Sequence, residues 1–204
     1  MKLKTIASIF ALSLTMSAAS AANFSFTGNF TYDNDVQAFS FVVGSPSSVS
    51  LRSWSWAGGV NAAGQNIAAG GFDPILALFD STGNRVGEQD DAGCSLVASH
   101  TGRCWDTFFT TNLAAGTYTA TIQQYNNFNL GSLALGFQFD GVANQNFRNG
   151  FHDAGNNVRD SHWAFDILNV NEATQNGRVP EPASLALLGL GLLGVGAARR
   201  RKSA

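Results

Sequence analysis

The 204 residues carry 14 acids against 12 bases, but the two kinds are unevenly placed. All the acids lie between residues 23 and 182 with only six of the bases and no lysine, which leaves that stretch at −8. So acidic a body repels polyphosphate backbones and excludes nucleic acid as a partner, because that binding is driven by counterion release at basic patches, whereas it suits divalent cations.

Residues 1–22 have the three parts of a secretory signal: Lys2 and Lys4, an apolar run from Ile6 to Met16, and small residues through Ala22. Ser20 and Ala22 fit the small pockets of a signal peptidase, so the mature chain is expected to begin at Asn23, or failing that at Ala22. The other readings are a buried core helix or a membrane anchor, but a comfortable span needs about 20 apolar residues. Export in this way implies the Sec translocon and signal peptidase as partners.

The body, residues 23–178, is expected to be one domain, since about 155 residues suffice for a hydrophobic core. Phenylalanine, threonine and valine are plentiful, glycine and asparagine punctuate often, and no long segment repeats apolar residues at helical spacing. Alternation predicts strands in chain order: Phe24 and Phe26; Phe39, Phe41 and Val43; Val49 and Leu51; Tyr118, Ala120 and Ile122; Leu133, Leu135, Phe137 and Phe139; Trp163, Phe165 and Ile167. Each buries one face against another sheet, so the fold class is all-β, a β-sandwich or jelly roll flanked by an N-terminal signal helix and a C-terminal hydrophobic helix. Ser81 to Asn84 and Ala114 to Gly116 suit hairpin or corner roles, and residues 58–71 and 144–160 are long enough to be functional loops.

Trp54 and Trp56 alternate with Ser53 and Ser55, which puts both rings on one face and makes them the candidate platform for sugar rings. The other reading is a bulge or a strand buried on both faces, because tryptophan is usually mostly buried. Acids cluster at Asp33 and Asp35, and at Asp73, Asp80, Asp90 and Asp91. The span Asp80 to Asp91 has the length of an EF-hand loop, but Arg85 stands where that loop needs glycine and Asp91 where it needs a bidentate glutamate. A calcium site, if built, is therefore a sandwich loop site drawing on Asp73, Asp90 or Asp91; the alternative is solvated carboxylates and turn caps. Cys94 and Cys104, an even count in an exported chain, predict a disulfide rather than a zinc site, for which His100 has no second partner nearby.

No catalytic residues are expected. G-x-S-x-G, H-E-x-x-H and the P-loop are missing from the sequence. His152 beside Asp153 and His162 near Asp160 suggest proton-transfer pairs on paper, but adjacent residues of a strand point to opposite faces, so surface or turn histidines are the better reading.

The C-terminal segment runs Val179-Pro180-Glu181-Pro182, then Leu185 to Ala198 without a charge, then Arg199, Arg200, Arg201 and Lys202. The prolines keep the tripeptide extended, and the basic cluster obeys the positive-inside rule, holding these four residues in the cytoplasm with the body outside. This order resembles the PEP-CTERM sorting signal of Gram-negative bacteria. The resemblance implies that Pro180, Glu181 and Pro182 are read by an exosortase, a membrane transpeptidase. It also implies an inner-membrane intermediate, then the cell surface or extracellular space; an anchor that is never processed is the alternative.

Within the body, Phe26 to Phe30, Asp33 to Phe41, Gly70 to Asp80, Gly83-Asn84, Asp90-Asp91 and Leu113 to Tyr118 are similar to a group of exported PEP-CTERM proteins. That group resembles the bacterial pre-peptidase C-terminal domain, and the likeness over residues 24–125 implies a small β-sandwich. Together the resemblances imply a non-enzymatic surface or matrix protein associated with exopolysaccharide. A carbohydrate- or calcium-binding module is the alternative, with a secreted hydrolase third.

Overall fold

The computed structural model describes residues 20–142 and 150–178. The expected signal peptide therefore lies, but for its last three residues, outside the described residues, as do the tripeptide, the hydrophobic segment and the basic cluster. Among the described residues no helix is long and apolar enough to cross a membrane.

Two antiparallel sheets face each other. One holds β1 (Ala22–Asn29), β10 (His162–Val170), β3 (Ser47–Ser53) and β8 (Phe108–Leu113), in that order across the sheet. The other runs β11 (Glu172–Arg178), β2 (Val36–Val43), β9 (Gly116–Gln124), β6 (Pro74–Phe79) and β7 (Arg85–Gln89). A small hairpin of β4 (Gly59–Val60) and β5 (Asn66–Ile67) stands apart. The described residues are all-β and pack as a sandwich, as expected from period-2 patterning over short segments.

Alternation decides which side chains meet. Phe39, Phe41 and Val43 of β2, Val49 and Leu51 of β3, Ala120 and Ile122 of β9, and Trp163, Phe165 and Ile167 of β10 all enter one buried cluster between the sheets. Phe39 is its centre, with ring centroids 4.8 Å from Phe165, 4.9 Å from Phe26 and 5.6 Å from an edge-on Trp163. Each such ring contributes roughly 1.5–3 kcal/mol through the apolar area it takes from water. Gly28 sits opposite Trp163 in the register, and a Cβ there would come within 2.4 Å of the indole. The missing side chain is what lets the ring lie flat against β1.

The strand expected over Leu133 to Phe139 is not formed. Residues 125–142 instead run in turns across the outer face of the second sheet, with left-handed backbone at Gly131 and Gly136. Phe137 is buried there against Val36, Ala77 and Phe79, while Leu135 is 61% exposed. The alternation was real but served a cover and not a ladder. That cover explains β6: both faces of Pro74–Phe79 are buried, so it reads as a continuous apolar run without alternation.

Three short connections, at residues 44–46, 114–115 and 171, carry the chain from one sheet to the other at a single end of the sandwich. Residues 54–73 and 90–107 lie at the opposite end, where β3, β7 and β9 finish and β6, β8 and β10 begin, and residues 150–161 join them there. Arg178, the last residue of β11, pairs with Gln37 and so also reaches the loop end.

Candidate functional site

At the loop end the hairpin of β6 and β7 determines the arrangement. Leu76 pairs with Gln89, so continuing the antiparallel register brings Asp90 and Asp91, which follow β7, beside Asp73, which precedes β6. One carboxylate oxygen from each of Asp73, Asp90 and Asp91 lies within 4.8 Å of the others. Asp73 is buried, Asp90 half-buried and Asp91 exposed. The neighbouring backbone is tied down: the Tyr125 amide donates to the Asp73 carbonyl at 2.8 Å, and Thr107 Oγ1 sits between the carbonyl oxygens of Pro74, at 3.0 Å, and Asp90.

Burial, then the charges of Asp90, Asp91, Asp106 and Asp153, push the Asp73 carboxyl up to about 9. Burial, then Asp91 and Glu88, push Asp90 up to about 7. Asp91 is raised by burial and by Asp106. Oδ1 of Asp73 and Oδ1 of Asp90 are buried without a hydrogen-bond partner. Across the sheet, Gln124 pairs with Pro74 and Gln123 with Ile75, and both amide groups are fully buried and unpartnered.

Asp106 adjoins this group and was not anticipated. It lies two residues before β8, accepts from Ser53 Oγ at 2.8 Å, Trp56 N at 3.1 Å and Ala57 N at 2.8 Å, and so ties the end of β3 to β8. Its carboxyl is raised by burial against those hydrogen bonds. A single Asp after Trp105 carries no local pattern that would have singled it out.

The other acids do different work. Asp35 Oδ2 accepts from the amides of Thr31 and Tyr32, at 2.7 and 2.9 Å, while Asp33 Oδ2 accepts from Gly150 N at 3.1 Å. Asp80 caps the β6–β7 turn, accepting from Thr82 Oγ1, Thr82 N and Asn84 N, and the Thr82 hydroxyl leads in holding its carboxyl low. Asp80 stands at the far end of the hairpin from Asp73.

The tryptophan pair expected to form an exposed platform does not do so. β3 ends at Ser53, so Trp54 and Trp56 lie past the strand and do not share a strand face. Trp56 is fully buried, donates toward the His100 and Arg103 carbonyls at 3.2 and 3.1 Å, and packs against Trp105 at 4.5 Å. Trp54 is half-buried, bonded through Nε1 to Asp166 at 2.8 Å and covered by the Arg52 guanidinium at 3.8 Å.

Cys94 and Cys104 are bonded, with Cα atoms 5.1 Å apart, and close the 90–107 loop. His162 Nδ1 contacts Asp160, and its Nε2 lies 3.0 Å from the Ala68 carbonyl, so this pair braces a loop against the start of β10. His152 does not pair with Asp153, whose oxygens are taken by Asn157 and by Arg159, the latter at 2.6 Å.

A family model for the PEP-CTERM protein-sorting motif matches residues 178–202. No curated protein matches the chain. The motif marks an exported protein that exosortase sorts, processed at the membrane on its way to the cell surface. The match begins at Arg178, where β11 ends, so the whole sandwich precedes it.

Proposed function

We propose that this chain is a non-enzymatic structural component of the cell surface or extracellular matrix, displayed by exosortase and associated with exopolysaccharide. The observation that carries the reading is the junction: the sorting motif follows the last strand of a closed sandwich without an intervening domain. Cutting near Pro180 to Pro182 therefore frees the body with all its strands. Residues 1–22 act as the signal peptide for the Sec translocon and signal peptidase, and residues 185–202 hold the inner-membrane intermediate.

The likeness of residues 24–125 to pre-peptidase C-terminal domains supports a binding or solubilising role, because such domains accompany enzymes without performing the chemistry. Fold alone assigns no ligand.

Intact-mass measurement of the protein recovered from the cell surface and matrix tests the proposal. The expected product begins at Asn23 or Ala22, ends close to Pro180, and co-fractionates with exopolysaccharide. A Pro180→Ala/Pro182→Ala chain should stay in the inner membrane at its full C-terminal length. A wild-type protein that keeps Leu185 to Lys202, or that turns over glycoside, ester or peptide substrates when purified, contradicts it.

A further inference from the structure

The β6–β7 hairpin ends in carboxylates that no base relieves among the groups acting on them. Asp73 is only 4% exposed, and both its Oδ1 and that of Asp90 are buried with no donor. The charges acting on Asp73 all belong to acids: Asp90, Asp91, Asp106 and Asp153. Two bases of this end are engaged elsewhere, Arg159 with Asp153 and Arg52 over the Trp54 ring. A carboxylate taken out of water needs a base, a proton or a metal ion.

We propose that Asp73, Asp90 and Asp91 bind a calcium ion that locks the start of β6 to the loop following β7. Three oxygens within 4.8 Å of one another fit around one ion with bonds of about 2.3–2.6 Å. The group holds no imidazole and no thiolate, and both cysteines are consumed by the disulfide, so the hard oxygen set selects calcium over zinc or copper. Magnesium demands a compact octahedron and keeps its waters, whereas calcium accepts additional neutral oxygens. Gln124, paired with Pro74, carries a buried amide oxygen of that kind without a partner. The one exposed carboxylate, Asp91, leaves the ion an entry path from solvent. Calcium at extracellular concentration fills such a site after export, and the inference stands whether or not the body associates with polysaccharide.

The full chain, purified in detergent and stripped with EDTA, is titrated with calcium chloride near neutral pH and followed by calorimetry and thermal unfolding. We expect one saturable site with Kd of about 0.1–1 mM, as in extracellular modules, and a rise in Tm. Asp73→Asn keeps the shape without the charge; it should lose calcium affinity at least about tenfold while its Tm in EDTA equals or exceeds that of wild type. Asp91→Asn, at an exposed position, should weaken binding comparably without lowering Tm in EDTA, which separates lost ligation from lost folding. No heat and no Tm rise up to about 10 mM calcium, well above the weak extracellular range, overturns the assignment and leaves protons as the compensating charge. An equal response to magnesium, or an undiminished response in both variants, overturns it as well.

Discussion

Stripped of metal, this protein should become less stable as pH rises through neutrality, the reverse of ordinary acid denaturation. Asp73 is raised from the usual carboxylate range to about 9 by burial and by its acidic neighbours. Between about pH 4 and pH 9 the folded state therefore holds a proton that the unfolded chain has released, and the stability this confers is complete in acid and lost as pH climbs toward 9. Each pH unit in that window removes up to about 1.4 kcal/mol, so moving from about pH 5 to about pH 8 costs up to about 4 kcal/mol from Asp73 alone. Asp90, raised to about 7, adds to the same slope below neutrality, discounted because it is only half-buried. Asp91, Asp106 and Glu88 are raised too and share the sign. Asp80 and Asp153 are lowered, and what they contribute is lost only in stronger acid, outside the window. Urea unfolding in EDTA at fixed pH values reads the slope, and Asp73→Asn should flatten most of it. A wild-type curve flat to within about 0.5 kcal/mol from about pH 5 to pH 8 would refute the reasoning, because it would mean that Asp73 is hydrated or partnered in the folded state.

Reducing the Cys94–Cys104 bond, or replacing both residues by alanine, frees a loop of ten-residue separation and should cost about 3 kcal/mol, read as a lower urea midpoint with unchanged far-ultraviolet circular dichroism. Equal midpoints with and without reductant would show that the loop is held by Trp56 and Asp106 alone. Phe39→Ala should cost about 3–5 kcal/mol, since the ring is fully buried and meets three others. A loss below about 1 kcal/mol would mean that the sandwich collapses around the cavity.

The strands that were legible are those with one face in the core. Phe39, Phe41 and Val43, and Trp163, Phe165 and Ile167, announce themselves because a two-residue period sends alternate side chains inward. β6 escaped that test because it is buried on both sides. Leu133 to Phe139 passed it without being a strand, since turns at Gly131 and Gly136 laid the segment over the second sheet. The tryptophan pair failed for a related reason: same-face placement holds only while the strand continues, and β3 stops at Ser53.

The candidate site was half legible. Asp73, Asp90 and Asp91 stood out as acids at turns, and hairpin pairing brings them together. Asp106 and the glutamine pair gave no signal, because what matters about them is which segment lies beside them.

What the sequence by itself determined is the one-dimensional order of the molecule: a charge-poor segment with basic flanks at each terminus, an acidic body between, alternating runs that demand sheets, and two cysteines close enough to join. Those properties follow from composition and short-range period, so they survive without coordinates. Only the tertiary structure decided that the loops following β3 and β7 meet at one end, that Trp56 is sealed while Asp73 lies beside Asp90, and that residues 125–142 form a cover. Each of these depends on pairing between strands far apart in the chain, and burial is a property of what comes to lie opposite a residue, which no local pattern encodes.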